Sequence, residues 1–227
     1  YLKQVEKTPA AINRGLLVGH GAVRASVLGY DNRPPEQEEL EAMREEVRKA
    51  MELGCLGMST GLIYPPGMYA DVDEIVELAK VVADYGGVYA SHMRSEGKNL
   101  EDSLNEFLKV GRKAKLPLQL SHIKVSGREN WEKIDHLVDT VEKAIKKGLK
   151  ITADRYPYTA SETALDVLLP PWAFEGGRSK QLPRLTQKAY GDVFLNSLPD
   201  MPRTSGLHDV QDFYAARETG HLVEETG

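Results

Sequence analysis

Between residues 15 and 158 one unit recurs: a short apolar run, a turn, an amphipathic stretch, and an exit through glycine or lysine. The apolar runs begin at "LLVGH" (16–20), "LGMST" (56–60), "VYASHM" (88–93), "LQLSHI" (118–123) and "KITADRY" (150–156), successively 40, 32, 30 and 32 residues apart. This interval suits right-handed βαβ crossovers, because parallel strands need a long return connection that a helix supplies. The helices between them are legible. "PPEQEELEAMREEVRKAMELG" has prolines suited to a first turn, acids early, bases late, and Leu40, Met43, Val47 and Met51 on one stripe. Val72, Ile75, Leu78, Ala79 and Val82 form the next stripe, and Leu100, Leu104, Phe107 and Leu108 the one after. A capping box from Ser126 to Glu129 is expected to start a fourth helix with Ile134, Leu137, Val138, Val141 and Ile145 buried.

Apolar strands alternating with helices imply a parallel sheet, either open and doubly wound or closed into a barrel. No glycine-rich phosphate turn follows an early strand, which argues against the open form. A barrel carries its chemistry at the C-terminal ends of its strands, and His20, Ser59 with Thr60, His92, His122, and Asp154 with Tyr156 all fall there. A complete barrel takes about 250 residues, and five units already occupy most of this chain. The expected fold is therefore α/β, a partial (β/α)8 TIM-type barrel of about five βα units. Residues 1–177 form that unit, and 178–227, with no further rhythm and a proline at 183, form an irregular tail.

Composition narrows the partners. The 227 residues are 41% apolar, enough for a sizeable core, and the net charge of -5 provides no basic stripe for nucleic acid or acidic lipid. No apolar run approaches the ~18 residues of a membrane helix, and no basic segment precedes an apolar one at the start. A small-molecule partner and a cytoplasmic location are expected; the oligomeric state is open. Cys55, the single cysteine, rules out an internal disulfide and reads as a packed small residue.

His92 and His122 lie 30 residues apart, one βα unit, each closing an apolar run. Neighbouring strand ends bring such imidazoles together, which makes a divalent-metal site; the alternative is two histidines hydrogen-bonded to loop backbone. Lys124 follows His122 by two and in an extended chain shares its face, fit to capture a carboxylate, to bridge two metals once carboxylated, or to reach solvent. Asp154 reads as a ligand, a proton acceptor or a loop cap. Arg94 and Glu96 are expected to pair or to brace the rim. Tyr64, in the loop "STGLIYPPGMY", reads either as a hydrogen-bonding pocket residue or as an aromatic packed on prolines. His136 lies on a charged helix face, and His208 and His221 in the tail, without expected roles.

"LLVGHGAVR", "GCLGMSTGLIYPPGMYA", "GGVYASHMRSEG", "LQLSHIKVSGRENW" and "ADRYPYTASETALDVLLPPWAFEGG" together resemble the N-acyl-D-amino-acid deacylases (D-aminoacylases) of the amidohydrolase superfamily, over about residues 15–177. The resemblance implies a zinc-dependent barrel hydrolysing N-acyl-D-amino acids. It implies that His92 and His122 bind Zn2+, that Lys124 and Tyr156 hold the substrate carboxylate, and that Tyr64 contributes near the scissile amide. The family's early His-x-His pair, its preceding cysteine ligand and its late general acid/base aspartate have no counterpart here, and Cys55 is not that cysteine. Glu162 stands where the family carries a small polar residue, which implies a like charge close to the substrate carboxylate. The resemblance thus points to an internal portion of a deacylase. The alternatives are an inactive or assembly-dependent barrel fragment and a cyclic-amide hydrolase of the hydantoinase or dihydroorotase type.

Overall fold

A computed structural model describes residues 7–8, 11–158, 163, 171–174 and 176. The expected tail, 178–227, and with it His208 and His221, lies outside the described residues, as does Glu162. The elements follow in order as β1 (Leu17–Gly19), α1 (His20–Leu28), α2 (Gln37–Glu52), β2 (Gly57–Gly61), α3 (Val72–Asp84), β3 (Val88–His92), α4 (Leu100–Ala114), β4 (Leu118–Leu120), α5 (Ile134–Lys146) and β5 (Ile151–Ala153). Short 3-10 turns lie at Gly67–Tyr69, Arg128–Lys133 and Pro171–Phe174 among the described residues. The five strands among the described residues are parallel and stand in chain order. Sequential order with a helix between neighbours is the arrangement of a TIM-type barrel wall.

Strand alternation divides the sheet into two faces. Met58, Tyr89, Leu118 and Leu120 point to the helices and are buried with Ile75, Leu78, Leu104, Phe107, Leu108 and Leu137. Thr60 and Ser91 share that side, where the Thr60 hydroxyl meets the Tyr89 phenol at 2.8 Å and donates to Ser91 Oγ at 3.0 Å. Burial pushes the Tyr89 phenol up to about 12. The opposite face carries Gly57, Ser59, Gly61, Ala90, His92 and Gln119 and ends in the C-terminal rim.

Helix starts and stops follow local chemistry. Asp71 caps α3 by accepting the Glu74 amide at 2.8 Å, and Glu39 accepts the Glu36 amide at 2.8 Å at the start of α2. The expected start of α5 is corrected: a 3-10 turn over Arg128–Lys133 comes first, and α5 begins only at Ile134. Asn130, which donates to the Ser126 carbonyl at 3.0 Å, holds that turn. Its expected buried face is also partly corrected. Leu137 and Val141 are buried, whereas Ile134, Val138 and Ile145 are 41–45% exposed. α5 packs against α4, and no later α-helix is among the described residues. Cys55 is half-buried against the core, as expected.

Gly57 marks a close approach of β2 to β3: an added Cβ would meet the Val88 carbonyl oxygen at 2.0 Å and its nitrogen at 2.8 Å. Rigid backbone leaves no rotamer to relieve that overlap. Gly57→Ala is expected to lower stability by about 1–3 kcal/mol, read as a lower urea midpoint with an unchanged m-value.

Candidate active site

The rim above β3, β4 and β5 gathers His92, His122, Lys124, Glu96, Asp154 and Tyr156. His92 is the last residue of β3, in register with Gly61. His122 lies two residues beyond β4, at φ 41°, a left-handed conformation that few non-glycine residues adopt. Asp154 holds it there. One carboxylate oxygen accepts the His122 amide at 2.7 Å, and the other accepts from Gln119 Nε2 at 2.6 Å. The Ile123 amide donates to the Asp154 carbonyl at 2.9 Å. Asp154 is therefore the loop cap among the roles the sequence left open.

The two imidazoles meet edge to face, with ring centroids 4.2 Å apart, and His122 Nε2 is in direct contact with His92 Nδ1. Burial, and next to it the His122 ring, holds the His92 imidazole below its ordinary value, which favours the neutral form that a metal requires. On the far side of His122, Nδ1 lies 2.7 Å from Lys124 Nζ and 2.8 Å from Glu96 Oε1. The other Glu96 oxygen is 2.6 Å from Lys124 Nζ. The Tyr156 ring centre is 6.3 Å from that of His122 and 5.5 Å from Lys124 Nζ. Lys124 thus reaches His122 as expected, although the chain turns at His122 instead of continuing extended.

Two nitrogens bound to one tetrahedral zinc at about 2.0–2.1 Å each sit roughly 3.3 Å apart. A small parting of the rings would admit such an ion between His92 Nδ1 and His122 Nε2, so these donors fit part of a zinc site. Among the described residues no three His, Cys, Asp or Glu side chains gather closely enough to hold a metal.

The other expected residues lie outside the histidine cluster. Tyr64 is 40% exposed, and its hydroxyl meets Thr163 Oγ1 at 2.9 Å. Arg94 does not pair with Glu96. It braces the Tyr64 loop, donating to the carbonyls of Met68 at 2.7 Å and Ala70 at 2.8 Å while gripping Glu106 at 2.9 and 3.0 Å. Glu96, which sequence reasoning left as a brace, is the residue that joins His122 to Lys124. The signal for it was thin: a carboxylate four residues after a strand-end histidine.

His20 does not join the His92–His122 pair. It opens α1, fully buried, with Nε2 2.8 Å from Glu74 Oε1, while Arg24 grips the other Glu74 oxygen. Burial of Glu74 works against its charge, but the hydrogen bond from His20, then the His20 and Arg24 charges, outweigh it and hold the carboxyl below its ordinary value. No helix among the described residues is long and apolar enough to cross a membrane.

No family model matches the chain. A D-aminoacylase of Alcaligenes xylosoxydans xylosoxydans is 38% identical over 165 residues, which are 73% of this chain and 34% of that protein. An N-acyl-D-glutamate deacylase of the same organism is 35% identical over 165 residues, with the same coverage of each. Among solved structures, an N-acyl-D-glutamate deacylase from Bordetella bronchiseptica, complexed with zinc and a phosphonate mimic of the tetrahedral intermediate, superposes with a TM-score of 0.67. It is 31% identical and covers 70% of this chain and 34% of its own. A D-aminoacylase studied for its binuclear metal centre gives a TM-score of 0.67 at 35% identity, over 72% of this chain and 35% of that one. The chain therefore spans about a third of the length of these relatives. The fold is α/β with a parallel sheet, consistent with a partial barrel of the TIM type found in its amidohydrolase-superfamily neighbours. Within that class the chain belongs to the N-acyl-D-amino-acid deacylase family.

The buried His20–Glu74–Arg24 cluster is expected to stabilise the fold. Glu74→Ala leaves Arg24 buried without a counter-charge, a loss of about 3–5 kcal/mol by the usual cost of breaking a buried pair. Because the folded pKa of Glu74 is depressed, its contribution is present above the ordinary carboxylate pKa and is lost as pH falls through the folded value. Urea titrations of wild type and variant should differ widely at neutral pH and converge in acid.

Proposed function

We propose that this chain carries one wall of the active site of a zinc-dependent deacylase that hydrolyses N-acyl-D-amino acids to a carboxylate and a free D-amino acid. The convergence of His92 and His122 from adjacent strand ends, with Lys124 beside them, carries this reading. His92 Nδ1 and His122 Nε2 would hold the zinc. Once bound, zinc polarises the amide carbonyl and lowers the pKa of a bound water toward about 7. The chain's own residues bind and orient. Lys124 provides the ammonium for the substrate carboxylate, Tyr156 flanks it, and Tyr64, on the loop held by Arg94, lines the amide side. Residues 1–177 form the amidohydrolase unit, and a cytoplasmic setting belongs to the same proposal.

A second reading is an assembly-dependent barrel portion. In its favour, β1 and β5 are each paired on one side only among the described residues, and the α5 face of Ile134, Val138 and Ile145 is exposed.

Zinc content and hydrolysis of N-acetyl-D-methionine by the purified chain separate the two. Bound zinc with turnover, both abolished in His92→Ala and His122→Ala, supports the deacylase. Zinc retained without turnover supports the assembly-dependent portion. A folded chain with neither overturns the metal site itself.

A further inference from the structure

We infer that Glu96 is the positioning residue that makes His122 a metal ligand, an assignment that rests on the metal-binding role of His122 proposed above. A neutral imidazole has one proton for two nitrogens, so if Nε2 is to offer its lone pair to a metal the proton must sit on Nδ1. A buried N–H at Nδ1 then needs an acceptor. Two groups lie against that nitrogen: Lys124 Nζ at 2.7 Å and Glu96 Oε1 at 2.8 Å. An ammonium has no acceptor capacity, so only Glu96 can take the proton-bearing Nδ1. Lys124 favours the opposite state, because its N–H directed at Nδ1 places the imidazole proton on Nε2, facing His92 and blocking the metal.

Glu96 counters this in two ways with one side chain. Oε1 faces Nδ1, while Oε2 holds the Lys124 ammonium at 2.6 Å. The Glu96 backbone is tethered as well, its carbonyl accepting the Ser126 amide at 2.8 Å, so the strand-end segments after β3 and β4 are tied at this residue. All three side chains are mostly shielded, at 16–20% exposure, which strengthens the preference of a proton for a carboxylate partner. Supporting carboxylates of this kind fix the tautomer and raise the basicity of metal-bound histidines.

The test uses the full chain and two readouts. Zinc affinity by chelator competition is expected to fall roughly 10- to 100-fold in Glu96→Ala, the usual effect of losing such a partner, and less in Glu96→Gln. Adding Lys124→Met to Glu96→Ala removes the opposing ammonium and is expected to restore part of the affinity, which a loss from general loosening of the rim would not do. Nitrogen-15 spectra of the metal-free chain, at about pH 8.5 where an ordinary imidazole is neutral, report the His122 tautomer directly. The fraction protonated on Nδ1 is expected to drop in Glu96→Ala and to recover with Lys124→Met. An unchanged tautomer in Glu96→Ala, or zinc affinity equal to wild type, overturns the assignment. If wild type binds no zinc, the proposed metal site fails, while the tautomer measurement still decides the role of Glu96.

Discussion

The carboxylate of Asp154 holding the amide of His122 is the contact on which the rim depends. Parallel pairing between β4 and β5 ends at Leu120 and Ala153, and beyond it the chain must turn without losing register. Asp154 supplies acceptors where the sheet no longer does. Its carboxylate captures His122 N–H, and its carbonyl captures the amide of Ile123. The result is a non-glycine residue held at positive φ, a conformation that persists only where surroundings over-determine it. That backbone state turns the His122 ring toward His92 instead of along the strand.

The fold was readable because its signals are periodic. Strand and helix alternation at roughly 30-residue intervals specifies parallel pairing, and the apolar stripes on α2, α3 and α4 follow from local geometry alone. His92 was readable for the same reason, since it completes a strand. What eluded sequence reasoning depends on non-local pairing. His20 follows Gly19, which stands level with Ala90, so it falls one residue short of His92 and on the parity of the helix-facing Ser91, where Glu74, 54 residues away, pairs with it in the core. Nothing local distinguishes a histidine that faces the rim from one that meets a buried carboxylate. Lys124 was correctly placed beside His122, but for a reason the structure replaces: two-residue parity requires a strand, and β4 ends at Leu120. Glu96 was read as a partner of Arg94 or a brace of the rim because its actual partners, His122 and Lys124, belong to the next unit. The exposed residues of α5 show the reverse error, where periodicity identified an apolar face but could not say whether a second neighbour covers it.

Arg94 shows how a residue outside the histidine cluster still shapes the rim. Two residues after His92, it spends its donors on the loop carbonyls of Met68 and Ala70 and on Glu106 of α4. The loop bearing Tyr64 is thus fastened to the strand end bearing His92. A lysine could not reproduce this, because the guanidinium engages a carboxylate through two nitrogens while also reaching two carbonyls.

The charge arrangement around Lys124 constrains any ligand the rim admits. Glu96 already neutralises the Lys124 ammonium, at 2.6 Å, so an incoming carboxylate meets a satisfied lysine and a nearby negative charge. Binding is favourable only if the anion gains contacts that Glu96 does not provide, or if Lys124 divides its three donors between the two carboxylates. With the His122 proton on Nδ1 facing Glu96, as inferred above, Nδ1 is no acceptor for Lys124, and one ammonium hydrogen is left for such a division.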